Sequence, residues 1–134
     1  MHRVQKIVNF CARVVTGRSR RDHIADALSQ LGWCTAQQLV AYQTVCAVRR
    51  ILLTSAPPQL LATIGPRATT IHDHNTRRAN LFTVPQIRTE AGRRRLNYRG
   101  VLLLNSSGLD PIDPLFCKLF RQMILTGTGI NGEV

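Results

Sequence analysis

From Thr35 to Thr54 the chain runs without a glycine or a proline, and its apolar residues fall on two sides of a helix rather than one. At about 100° per residue, Val40, Ala41, Val45, Ala47, Val48, Ile51 and Leu52 form one broad face. Leu39, Tyr42, Cys46 and Leu53 form a second, and only narrow strips holding Arg49 and Gln43/Arg50 separate the two. Such a helix is sandwiched between neighbours. Thr35 and Gln38 supply a capping box at its start, and Pro57-Pro58 breaks the chain after it. The fold class that follows is mainly α: a small bundle of about four to five helices with this segment at its centre.

The flanking segments fill in that bundle. Val4, Ile7, Val8, Cys11, Val14 and Val15 lie within about 120° of one helical face, with Lys6, Asn9 and Arg13 opposite and Gly17 placed to end the helix. Asp22 is positioned to cap a short helix with Ile24, Ala27, Leu28 and Leu31 inside, stopped by Gly32. Trp33 then plugs the junction. These first two helices are expected on one side of the central one. Gln59 to Ile64 adds a turn or two, giving a basic helical bundle over 1–64.

Residues 65–80 show no apolar periodicity and read as a loop or linker. Segment 81–126 follows as an Arg-rich extended stretch and C-terminal helices. Leu81, Phe82, Val84 and Ile87 alternate enough for an extended segment, but Pro85 restricts 81–89 to an edge strand at most. Leu96 to Leu104 suits a short helix or a buried strand, with helix preferred, and Asn105 to Gly108 a turn. Asp113 and Pro114 open a last helix running to about Leu125. Its face of Leu115, Phe116, Leu119, Phe120, Met123 and Ile124 must dock on this chain or on a partner. Residues 127–134 read as a disordered tail.

Charge narrows the partner. The 134 residues include sixteen Arg and two Lys against seven acids, a formal net charge of +11. Residues 1–54 and 55–109 carry +6 each, whereas 110–134 carry −1. Arg88, Arg93, Arg94, Arg95 and Arg99 crowd around one acid, Glu90, with Tyr98 among them. Guanidinium forks match phosphate oxygens and stack on bases, so the expected partner is RNA or DNA, gripped by its phosphates. Tyr98 suits either a stacking contact with a base or a buried ring. Lys6, Arg13, Arg18, Arg20 and Arg21 form a second candidate patch, with Asp26 as a partner for nearby arginines.

Catalytic patterns are missing. His72-Asp73-His74 is the one cluster of ligand-type residues, but a metal needs further ligands and no spacing supplies them. There is no phosphate-binding G-K-[ST] loop and no G-x-S-x-G elbow. The expectation is a protein that is not an enzyme and has neither cofactor nor metal. Cys11, Cys34, Cys46 and Cys117 make no C-x-x-C pair and read as reduced thiols filling the core. No apolar run approaches the ~20 residues of a membrane span. An intracellular location, nuclear or cytoplasmic and without membrane contact, is expected.

Taken in series, four blocks resemble the region downstream of the polymerase core in reverse transcriptases of non-LTR (LINE-type) retrotransposons. They are Gln5 to Gly17; Asp22-His23-Ile24 with Leu28, Leu31, Gly32 and Trp33; Tyr42 with Pro57-Pro58; and Val84-Pro85, Arg88-Thr89, Gly92-Arg93-Arg94-Arg95, Tyr98-Arg99 and Asn105-Ser106. Leu104 and Ser107-Gly108 stand where that family usually has Trp and Pro. The resemblance implies a C-terminal fragment of an RNA-directed DNA polymerase lacking the catalytic palm, with helix 113–125 placed to dock on the parent's polymerase core. Two rivals follow from the same residues. One is a remnant or scaffold without selected activity. The other is a mitochondrially targeted basic protein, since residues 1–21 carry six positive charges and no acid.

Overall fold

A computed structural model describes residues 2–67 and 80–127. Within them the chain is helical: α1 (His2–Thr16), α2 (Ile24–Leu31), α3 (Ala36–Thr54), α4 (Pro58–Thr63), α5 (Glu90–Arg93), α6 (Leu96–Ser107) and α7 (Phe116–Thr126).

The segment with two apolar sides is the centre. Its capping box is formed as the sequence requires: Thr35 Oγ1 accepts from the Gln38 amide at 3.2 Å, and Gln38 Oε1 accepts from the Thr35 amide at 2.8 Å. Ala41, Val45, Val48 and Ile51 of α3 are buried in one cluster with Val101, Leu103 and Leu104 of α6 and Phe116, Phe120 and Ile124 of α7. Residues from both sides of the 65–80 segment thus share one core.

Of its two main neighbours, α7 runs antiparallel to α3. Along α7, the Phe116 ring lies under the Arg49 guanidinium, Cys117 faces Cys46, Phe120 stacks on Tyr42, and the Ile124 carbonyl accepts from Gln38 Nε2. Against α6, contact depends on Gly100: a Cβ there would come within 2.5 Å of Val48 Cγ2. Only hydrogen at that position lets the two helices approach so closely.

The expected neighbours differ from these. The sequence puts the first two helices beside α3, yet its faces are covered mainly by α6 and α7, and α1 packs chiefly on α2. Ala12, Ala27 and Leu28 form a satellite cluster with Val8, Ile24 and Leu31 around it. The small Ala12 and Ala27 side chains bring α1 and α2 together, with Val8 as the stripe's one contribution to that contact. Val4, Ile7, Val14 and Val15 therefore stay between 51% and 64% exposed. Trp33, at the turn between α2 and α3, is 36% exposed and lines an open groove with residues of α1 and α3.

Local starts and stops shift in small ways. Gly17 and Gly32 adopt positive φ and end their helices as expected. Asp22 does not cap α2: its carboxylate accepts from the Ser19 amide at 2.7 Å, closing the preceding turn, and His23 occupies the N-cap position. Helix α6 extends through 105–107, the start of the expected turn, and stops at Gly108 with φ 65. Helix α7 begins at Phe116, after a turn in which Asp113 Oδ1 accepts from the Leu115 amide at 2.8 Å.

No strand occurs among the described residues. Segment 81–89 makes one isolated antiparallel bridge, Arg67 to Phe82. In place of a neighbouring strand, the side chain of Asn105 on α6 pairs with the Phe82 backbone.

Candidate nucleic-acid interface

The arginine-rich stretch is shaped by the residues between its charges. Thr89 Oγ1 accepts from the Gly92 amide at 3.2 Å and starts the single turn of α5. Gly92 is buried where a Cβ would strike the Ile87 side chain, so the turn folds inward at the glycine and outward at the arginines. Arg88, Arg93, Arg94 and Arg95 are exposed, while Arg99 and Tyr98 are half-buried.

Arg95 is the N-cap of α6, and no side chain caps the helix's free amides. That end carries the positive pole of the helix dipole and adds to the arginine field. Gly100, Val101 and Leu104 mark the buried side of α6. At about 100° per residue, Arg95, Tyr98, Arg99 and Leu102 fall together on the other side. Tyr98 and two arginines therefore share one side of α6.

Neutralisation is slight. Glu90 approaches Arg94 Nε at 3.6 Å, with both side chains more than two-thirds exposed at 75% and 71%, so the pair is weak. Arg88, Arg93, Arg95 and Arg99 have no carboxylate within 4 Å among the described residues.

The second candidate group is built differently. Lys6, Arg20 and Arg21 are exposed on α1 and on the turn after it. Arg18 is partly spent, with Asp26 at 3.5 Å and Gln30 at 3.4 Å. Arg13 is half-buried, and its Nε is buried without a hydrogen-bond partner. The structure does not bring the two groups together. α1 meets α3 at its start, where the Ala36 amide donates to Gln5 Oε1. Arg95 and Leu96 border the same hollow as Ile51, near the end of α3. From Ala36 to Ile51 is about 22 Å of helix at 1.5 Å per residue. Lys6, beside Gln5, is set apart from Arg95 by about that length of α3.

Three further arginines serve the fold. Arg49 donates to the carbonyls of Pro111 at 2.8 Å and Asp113 at 3.1 Å and lies over the Phe116 ring. Arg67 pairs with Asp110 at 3.0 Å and covers Phe82 at 5.1 Å. Arg121 reaches the Gly32 carbonyl at 3.5 Å. The amide of Ile112 first of all holds the Asp110 carboxyl below the usual aspartate range, against the opposing effect of burial and with help from Arg67.

His72-Asp73-His74 lies outside the described residues. Among those described, no three His, Cys, Asp or Glu side chains gather as a metal site. No described helix is long and apolar enough to cross a membrane. The chain matches no protein-family model, no curated protein and no solved structure.

Proposed function

We propose that this chain is a basic helical module that binds RNA or DNA through its phosphates, with the Arg88–Arg99 surface as its primary contact. One observation carries the reading: Arg88, Arg93, Arg95 and Arg99 project from one short stretch with no carboxylate to neutralise them among the described residues. Free guanidinium groups at this density repel one another, and a polyanion relieves that repulsion. Contacts of this kind follow the backbone and carry little sequence preference. Tyr98 on the same face adds a surface for a base. Lys6, Arg20 and Arg21 form a weaker second contact, with Arg18 drawn off by Asp26 and Arg13 half-buried.

The four sequence blocks that resemble non-LTR reverse transcriptases favour one context for this binding, a post-polymerase segment of an RNA-directed DNA polymerase. On that reading the catalytic carboxylates belong to another part of the parent, and this chain contributes grip. A polymerase core would be its second partner. α7 has given Phe116, Phe120 and Ile124 to α3, which leaves Leu115 and Leu125 for such a contact.

The test is a binding titration on duplex and single-stranded oligonucleotides across salt concentration. For about six phosphates on duplex DNA, log K falls with a slope near −5 against log salt. Replacing Arg93, Arg94 and Arg95 together by Ala flattens the slope by about three. Affinity that stays constant from low to moderate salt sinks the proposal. For the polymerase context, the genomic sequence upstream decides: a frame encoding a polymerase palm supports it, and its absence removes it.

A further inference from the structure

Cys46 on α3 and Cys117 on α7 are far apart in sequence, yet their Sγ atoms lie 3.8 Å apart across the helix interface. Both residues are half-buried, and both thiols are free. Cys117 also lines a surface hollow of about 460 Å³, and Lys118 and Arg121 stand beside it there. Cys46 is not among the residues that line that hollow. Burial pushes its thiol up, and the adjacent Cys117 adds to that against a hydrogen bond with Tyr42 that works the other way.

We propose that Cys46 and Cys117 form a thiol pair that exchanges with an anionic small-molecule disulfide of the glutathione type and closes into a bridge between α3 and α7. The two cations at the hollow select an anionic reagent, and Cys117, which lines the hollow, meets it first. The Cys117 thiolate attacks one sulfur of the reagent, the reagent's S–S bond breaks, and one small thiolate leaves. The Cys46 thiolate then attacks Cys117 Sγ, the mixed disulfide breaks, and the second small thiolate leaves. The two protons lost by the cysteines end on the two departing thiolates. In sum, two protein thiols are oxidised and one small disulfide is reduced to two thiols. The sulfur atoms must close from 3.8 Å to the bonded length of about 2.05 Å.

The experiment uses the purified full chain with oxidised glutathione in native buffer, quenched by alkylation, digested and read by mass spectrometry. The expected product has lost two hydrogen atoms and yields one peptide pair joined through Cys46 and Cys117. Cys46→Ser is expected to stop at a mixed disulfide on Cys117, and Cys117→Ser to give no bridge. Bridging in the native chain is expected to run at least about tenfold faster than in urea, where proximity is lost. That comparison needs no variant and holds even if a substituted chain fails to fold. Lys118→Gln with Arg121→Gln is expected to slow reaction with oxidised glutathione more than with a neutral disulfide such as hydroxyethyl disulfide. Equal rates in native buffer and urea, a stable adduct without closure, a bridge to Cys11 or Cys34, or equal slowing with both reagents would each overturn the proposal.

Discussion

The side-chain amide of Asn105 pairs with the backbone of Phe82 as a strand would: Oδ1 accepts from the Phe82 amide at 3.0 Å, and Nδ2 donates to the Phe82 carbonyl at 2.8 Å. A helix residue thereby holds an extended segment that lacks a sheet. Phe82 packs against the main core under the Arg67 guanidinium, so this one residue anchors the segment leading to Arg88.

Asn105→Ala is expected to leave both Phe82 backbone groups without their partner, at a cost of about 1–3 kcal/mol. Asn105→Asp keeps an acceptor for the amide but sets a carboxylate against the carbonyl, and should be no better. Thermal denaturation measures the loss. Faster hydrogen exchange at the Phe82 amide identifies its source, and unchanged exchange there would show that the pairing contributes nothing.

Gly100 makes the α3–α6 crossing possible, and its replacement is the sharpest test of the core. In Gly100→Ala the new methyl meets Val48 Cγ2, and overpacking of this kind costs about 1–3 kcal/mol. Val48→Ala in the same chain removes the obstructing methyl groups. Denaturant titration should show the double variant losing less stability than the two single losses added together. Simple additivity would mean that the helices do not meet at these residues.

Arginines that bind phosphate are expected to separate from those that bind the fold. Arg49 holds two carbonyls and covers Phe116, so Arg49→Ala should cost about 2–3 kcal/mol and leave the salt slope of nucleic-acid binding unchanged. Arg93→Ala should do the reverse, leaving stability within about 0.5 kcal/mol and flattening the slope by about one. Lysine cannot reproduce the contact of Arg49, because its single ammonium lacks the fork that reaches both carbonyls. A slope altered by Arg49→Ala with the fold intact would contradict this division.

The division also shows what the sequence makes legible. Thr35 and Gln38 are three residues apart, and their cap follows from local chemistry alone. The Arg88–Arg99 cluster is likewise a matter of local density. Which helix covers α3 is not local, since Val48 meets Gly100 and Tyr42 meets Phe120 across long stretches of chain. Periodicity marks a face as apolar without saying whether it is covered, and so the α1 stripe read as core although Ile7 and Val14 are exposed. Arg49 and Arg93 look alike as charges. Only the fold places the Pro111 and Asp113 carbonyls in front of Arg49.

Asp110 gives the acid limb of stability a specific contributor. Its carboxylate accepts from the Ile112 amide at 3.1 Å and pairs with Arg67 at 3.0 Å, and both favour the charged form. A folded pKa below the unfolded value means that the unfolded chain binds the proton more readily. The stabilisation is therefore fully present above the ordinary aspartate range and is lost as pH falls through the lowered folded value. Side-chain carbonyl NMR should find the Asp110 midpoint below that of an unstructured aspartate. Asp110→Asn should reduce the fall in stability toward low pH, and because the pair is more than half exposed on the acid side, at 56%, the effect is small and shrinks further in high salt. A midpoint at the ordinary aspartate value would show that neither contact distinguishes the charged form from the neutral one.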